Sequence, residues 1–184
     1  MSALEQALIS LSRLLNAEEV PYMVIGGIAN LVWGVPRATM DVDVTVWVEE
    51  ERIPTLIDRL GEHLRLLPEE PVAFVERTRV LAAETTEGIR IDIIFGQLPY
   101  EEQAIQRARA IDFGGVPVLI CSPEDLIIHK IISERPQDRE DVRGIIHRLG
   151  PQLDREYIEP ILRGLEEDLG RADLITFFEG CLER

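Results

Sequence analysis

Leu4, Leu8, Leu11 and Leu15 recur at helical spacing, so residues 3–16 predict an amphipathic helix. Pro21 precedes the apolar run Tyr22-Met23-Val24-Ile25, which ends at Gly26-Gly27 as a strand closed by a tight turn. Residues 28–33 read as a short helix broken by Gly34 and Pro36. Beyond it Val42, Val44, Val46 and Val48 alternate with Asp41, Asp43, Thr45 and Trp47, the period-two pattern of a strand with one buried face. A helix is expected over 51–62, strands over 72–82 and 88–96 across Thr85-Thr86-Glu87-Gly88, and another helix over 100–109. Gly114-Gly115 marks the turn of a last hairpin. From Ser122 strand signals stop, and helices are expected over 123–134, 138–149, 154–169 and 171–182. The pattern predicts an α+β fold: residues 1–121 form a mixed, twisted sheet with flanking helices, and 122–184 a helical bundle packed on that core.

Composition narrows the class. With 46% hydrophobic and 29% charged residues the chain is globular. It has no apolar run of the roughly 20 residues a bilayer requires, and its first ten residues carry acid, so it is expected to be cytoplasmic with no membrane partner. Cys121 and Cys181 lack metal-ligand spacing. The net charge of −15 argues against a broad DNA-binding surface, because such binding neutralises phosphates.

The chemistry concentrates between Gly26 and Val46. Two glycines that end a strand and open a helix let backbone N–H groups approach a phosphate, although the same pair also serves a plain tight turn. Asp41 and Asp43 lie two apart on a strand, so both carboxylates leave the same face, their Cα atoms roughly 7 Å apart. Like charges so placed repel unless a cation sits between them, which favours a divalent metal. In Arg90-Ile91-Asp92-Ile93-Ile94-Phe95 a third acid interrupts an apolar strand that reads as buried. Asp92 then either pairs with Arg90 on its own face or joins the other two acids at metal.

The helical part holds a second group. Lys130 sits in a strongly apolar stretch after the helix start Ser122-Pro123, where it either snorkels to solvent or contacts phosphate. On a helix over 138–149, Asp138 and Asp141 share the inward stripe of Val142, Ile145, Ile146 and Leu149. Asp138 reads as the helix cap, and Asp141 as a polar link to Lys130 or Arg135.

Taken as a whole, Gly26-Gly27, Gly34, Arg37, Thr39, Asp41 and Asp43, with Asp92 following, resemble the signature of nucleotidyltransferases of the DNA polymerase beta superfamily. Residues 21–47 most resemble the AbiEii-like group of toxin–antitoxin and abortive-infection systems, and Lys130, Arg135, Asp138 and Asp141 follow that group's helical motif more loosely. The resemblance implies a nucleotidyltransferase-like fold and transfer of a nucleoside monophosphate from a nucleoside triphosphate, such as ATP, to an unknown acceptor hydroxyl. It implies Mg2+ or Mn2+ held by the catalytic Asp41, Asp43 and Asp92, and nucleotide binding by Gly26, Gly27, Arg37, Thr39, Lys130 and Asp141. It also implies a cognate antitoxin or toxin protein as partner. The alternative implied is a catalytically weak nucleotide-binding member of such a pair.

Overall fold

The computed structural model describes residues 2–133 and 135–183. Its chain divides into two compact units, Met1–Ile28 with Ala38–Cys121, and Ala29–Arg37 with Ser122–Arg184. Residue 134, with which one expected helix ends, lies outside the described residues.

The first unit is built on a mixed seven-stranded sheet. The strands are β1 (Tyr22–Val24), β2 (Asp41–Val46), β3 (Arg65–Leu66), β4 (Val80–Glu84), β5 (Arg90–Phe95), β6 (Arg109–Phe113) and β7 (Val116–Ile120), in the order β3-β4-β5-β2-β1-β7-β6. β2 runs antiparallel to β1 but parallel to β5. The expected first helix is α1 (Ala3–Ala17), capped by Ser2 and Glu5, and it packs Ala7, Leu8, Leu11 and Leu15 toward β2 and β7. Its buried Ser12 hydroxyl is hydrogen-bonded to Tyr22 of β1. Helix α2 (Gly26–Trp33) starts directly after β1 in this unit and ends in the other.

Two segments differ from the sequence reading. The strand expected over 72–82 is helix α4 (Pro71–Thr78) followed by β4. Pro71 sits where a missing N–H costs nothing, and Arg79 at φ +59° closes the helix with its N–H on the Val75 carbonyl. The β-rich composition of Val72-Ala73-Phe74-Val75 concealed these stop and start signals. The two-residue β3 was not anticipated, being too short to show a period. Elsewhere α3 (Ile53–Gly61), α5 (Pro99–Gln106) and the β6–β7 hairpin across Gly114-Gly115 lie where the pattern put them.

In the second unit, α6 (Pro123–Ile132), α7 (Pro136–Leu149), α8 (Arg155–Leu169) and α9 (Leu174–Leu182) bury Leu126, Ile127, Val142, Ile145, Leu162 and Phe178. The last helix begins later than the pattern suggested, because Gly170 at φ +62° ends α8 and Arg171 turns to Asp173 and the Ile132 carbonyl. The segment Ala29–Arg37 is tied to α7: Arg148 donates to the Gly34 carbonyl at 2.9 Å, and a Cβ on Gly144 would come within 3.0 Å of Val35. Among the described residues no helix is long and apolar enough to cross a membrane.

Candidate active site

The parallel pairing of β2 with β5 decides where the first unit's acids go. In that register Asp43 stands directly opposite Asp92, and Asp41 opposite Arg90. Val42, Val44 and Val46 are fully buried, which directs Asp41 and Asp43, both half-buried, to the other face. The Thr39 hydroxyl donates to Asp41 Oδ1 at 2.9 Å and fixes that carboxylate. Asp92 differs from expectation, because β5 buries only Ile91, Ile93 and Phe95 and leaves the Asp92 side chain 23% exposed. Water therefore reaches this side chain, and it needs fewer protein partners than a fully buried acid would. Arg90 Nε lies 3.1 Å from both Asp92 oxygens. The Asp92 hydrogen bond and charge, then the charges of Asp41 and Asp43, hold the Arg90 guanidinium above its ordinary pKa against desolvation. One cation thus feels all three carboxylates.

The two glycines border these acids. Gly26 adopts φ +64°, a left-handed conformation, and a Cβ there would fall 1.9 Å from Asp43 Oδ2 and 2.7 Å from its Cγ. A Cβ on Gly27 would fall 2.2 Å from Thr39 Oγ1. The start of α2 is therefore pressed against Asp43 and Thr39 with no side chain between.

The oxygen donors and their shared face fit a hard divalent cation. Among the described residues, however, no three His, Cys, Asp or Glu side chains are grouped to hold a metal ion. Thr39 and Arg90 account for the present orientations of Asp41 and Asp92.

The second unit contains a buried ladder of alternating charge. Lys130 is the only lysine in the sequence, beside 18 arginines, and its side chain is 6% exposed. Its Nζ lies 2.8 Å from Asp138 Oδ1 and 2.7 Å from Asp141 Oδ2. Arg135 Nε reaches the other Asp138 oxygen at 2.6 Å, and Arg37 grips Asp141 with Nε at 3.0 Å and a terminal nitrogen at 2.9 Å. The order is Arg135, Asp138, Lys130, Asp141, Arg37.

Burial works against ionisation of Asp138 and Asp141. Hydrogen bonds from Lys130 and Ser133 to the first, and from Arg37 and Lys130 to the second, outweigh it and hold both carboxyls below their ordinary value. Asp138 is therefore no cap: the helix cap is Arg135, without a side-chain bond, and Asp138 turns inward because a buried ammonium demands counter-charge. The link from Asp141 to Lys130 is present, while Arg135 pairs with Asp138 instead. The partnership of Arg37 with Asp141 went unread because 104 residues separate them.

A family model described as a nucleotidyltransferase of unknown function (DUF6036) matches residues 2–169. No curated protein matches the chain in sequence. Among solved structures, an antigenic nucleotidyltransferase-like protein from Paracoccidioides brasiliensis is similar at 17% identity and a TM-score of 0.57, over 96% of this chain and 92% of that one. ANT(2'')-Ia in complex with adenylyl-2''-tobramycin is similar at 18% identity and 0.59, over 91% and 99%. The lincomycin-bound lincosamide antibiotic adenylyltransferase LnuA is similar at 14% and 0.54, over 77% and 95%. At these identities the likeness is one of fold.

The geometry yields two expectations. Gly26→Ala should lower the melting temperature more than Gly114→Ala, since Gly114 shares the positive φ of +61° but a Cβ there meets nothing within 4 Å. The shared left-handed cost is about 1–2 kcal/mol, and equal losses in a thermal melt would mean that Asp43 yields freely. The depressed carboxyls of Asp138 and Asp141 contribute stability that is present above their ordinary pKa of 3.8 and is lost as pH falls below it. Lys130→Met should cost about 3–5 kcal/mol near neutral pH, because each acid loses its buried cation and keeps only its outer arginine. Its melting temperature should consequently approach wild type as acid protonates them. A constant deficit across that range, measured by calorimetry, would contradict the ladder.

Proposed function

Because the chain belongs to the family of nucleotidyltransferases of unknown function whose model spans residues 2–169, we propose that it is a metal-dependent nucleotidyltransferase of the DNA polymerase beta superfamily. It transfers a nucleoside monophosphate from a nucleoside triphosphate to an acceptor hydroxyl on a protein, an RNA end or a small molecule. The observation that carries this reading is the register that sets Asp43 opposite Asp92, with Asp41 on the same face and the α2 start against Asp43.

Asp41, Asp43 and Asp92 would hold Mg2+ or Mn2+, which when bound neutralises phosphate charge and steadies the attacking and leaving oxygens. The chain's own groups do the rest. Asp92, whose side chain is partly exposed, accepts the proton of the acceptor hydroxyl. That oxygen bonds to the α-phosphorus, the bond to the β-phosphate oxygen breaks, and pyrophosphate departs. The helix start at Gly26 and Gly27 offers backbone N–H groups that favour the triphosphate charge. Thr39 keeps Asp41 oriented. Arg37, whose side chain is 33% exposed, makes the nucleotide contact of the ladder, and Lys130 and Asp141 hold it in position. The AbiEii-like pattern of residues 21–47 supports a toxin–antitoxin or abortive-infection setting with a cognate protein partner.

Incubation with labelled nucleotides and candidate acceptors tests the activity directly. In wild type, Mg2+ with ATP should raise the melting temperature, and Asp43→Ala should abolish that shift. Asp92→Asn should keep most of the shift yet lower transfer about a hundredfold or more. An undiminished shift in Asp43→Ala would remove the metal assignment.

A further inference from the structure

Three carboxylates on one sheet face are costly in the absence of metal. Asp43 and Asp92 face each other across strands about 4.8 Å apart, a placement in which like charges destabilise a sheet. Asp41 adds a third negative charge on the same face. The chain answers with Arg90, which stands opposite Asp41 in the register and two residues before Asp92 on its own strand. Its Nε lies 3.1 Å from both Asp92 oxygens and a terminal nitrogen 3.1 Å from Oδ1, so the guanidinium occupies both acceptors of that carboxylate.

A divalent ion needs carboxylate oxygens and would meet Asp92 already engaged. The Arg90 side chain is 57% exposed and can swing away without leaving a cavity. We propose that Arg90 is a resident counter-cation: it holds the acidic face together without metal, and must release Asp92 before a divalent ion is held there. It therefore sets the affinity for a divalent ion in the absence of nucleotide. The inference rests on the reading that Asp41, Asp43 and Asp92 form the metal site. Arginine suits the task, because a planar fork covers both oxygens of a carboxylate, whereas an ammonium is a single point charge.

The test is Mn2+ binding without nucleotide, followed by the electron paramagnetic resonance of free Mn2+ and by calorimetry, together with melting temperature at zero and saturating Mn2+. Arg90→Ala should bind Mn2+ about fivefold more tightly than wild type, the size of an exposed ion pair removed from competition. It should melt lower than wild type without metal, and the difference should vanish at saturation. Arg90→Lys, which keeps the charge but loses the fork, should fall between the two. Arg59→Ala removes the same charge from a pair with Glu62 and should leave Mn2+ binding near wild type. Unchanged or weaker binding in Arg90→Ala, or an equal gain in Arg59→Ala, overturns the proposal. Asp43→Asn separates the two readings. If it binds Mn2+ as wild type does, the metal site itself is wrong. If it loses Mn2+ while Arg90→Ala is unchanged, only the role of Arg90 fails.

Discussion

Parallel pairing between β2 and β5 is the constraint on which the acidic face depends. It places Asp43 against Asp92 and Asp41 against Arg90 within one register. A slip of one residue would send either strand's acids into the space filled by Val42, Val44, Ile91 and Ile93, all fully buried. The apolar half of each strand thereby fixes the polar half. The same packing brings Gly26 against Asp43, so the sheet, the turn and the helix start are specified together rather than one by one.

The second unit solves a different problem with the opposite economy. There a single ammonium is enclosed by two carboxylates, and each carboxylate carries an outer arginine. Every oxygen facing the interior meets a donor, which is the condition under which a buried ion pair is tolerated. The ladder joins α6 to α7 and fastens Arg37 at the end of the segment Ala29–Arg37. The chain uses arginine at every other basic position, yet between Asp138 and Asp141 it places the smaller, rounder cation.

What the sequence made legible follows from the range of the interactions. Local period and punctuation were enough for α1, β2 and β5, which each have one buried face, for the apolar run of β1 before Gly26-Gly27, and for the β6–β7 hairpin across Gly114-Gly115. The same reasoning failed at Pro71–Thr78, where valines and a phenylalanine imitated a strand and the decisive signals were a leading proline and a left-handed Arg79. The three acids could be singled out by type and spacing, whereas the exposure of Asp92 depends on which face of β5 the fold covers. Asp138 was misread as a cap because capping is local, while its true partner, Lys130, lies on another helix. The signal was available in the pattern of two inward acids and one lysine in an apolar helix. Pairings across more than a hundred residues, such as Arg37 with Asp141, leave no trace in a single sequence.

The solitary lysine also changes how this protein meets covalent chemistry. In its folded form the only side-chain amine is enclosed by two aspartates, 6% exposed and committed as an ammonium donor to both. Acylating reagents, reductive methylation and ubiquitin or acetyl transfer all require an accessible lysine nitrogen at the surface. The folded unit offers none at this side chain, and modification of Lys130 becomes a chemical reporter of its opening: each labelled molecule is one whose α6–α7 contact has come apart.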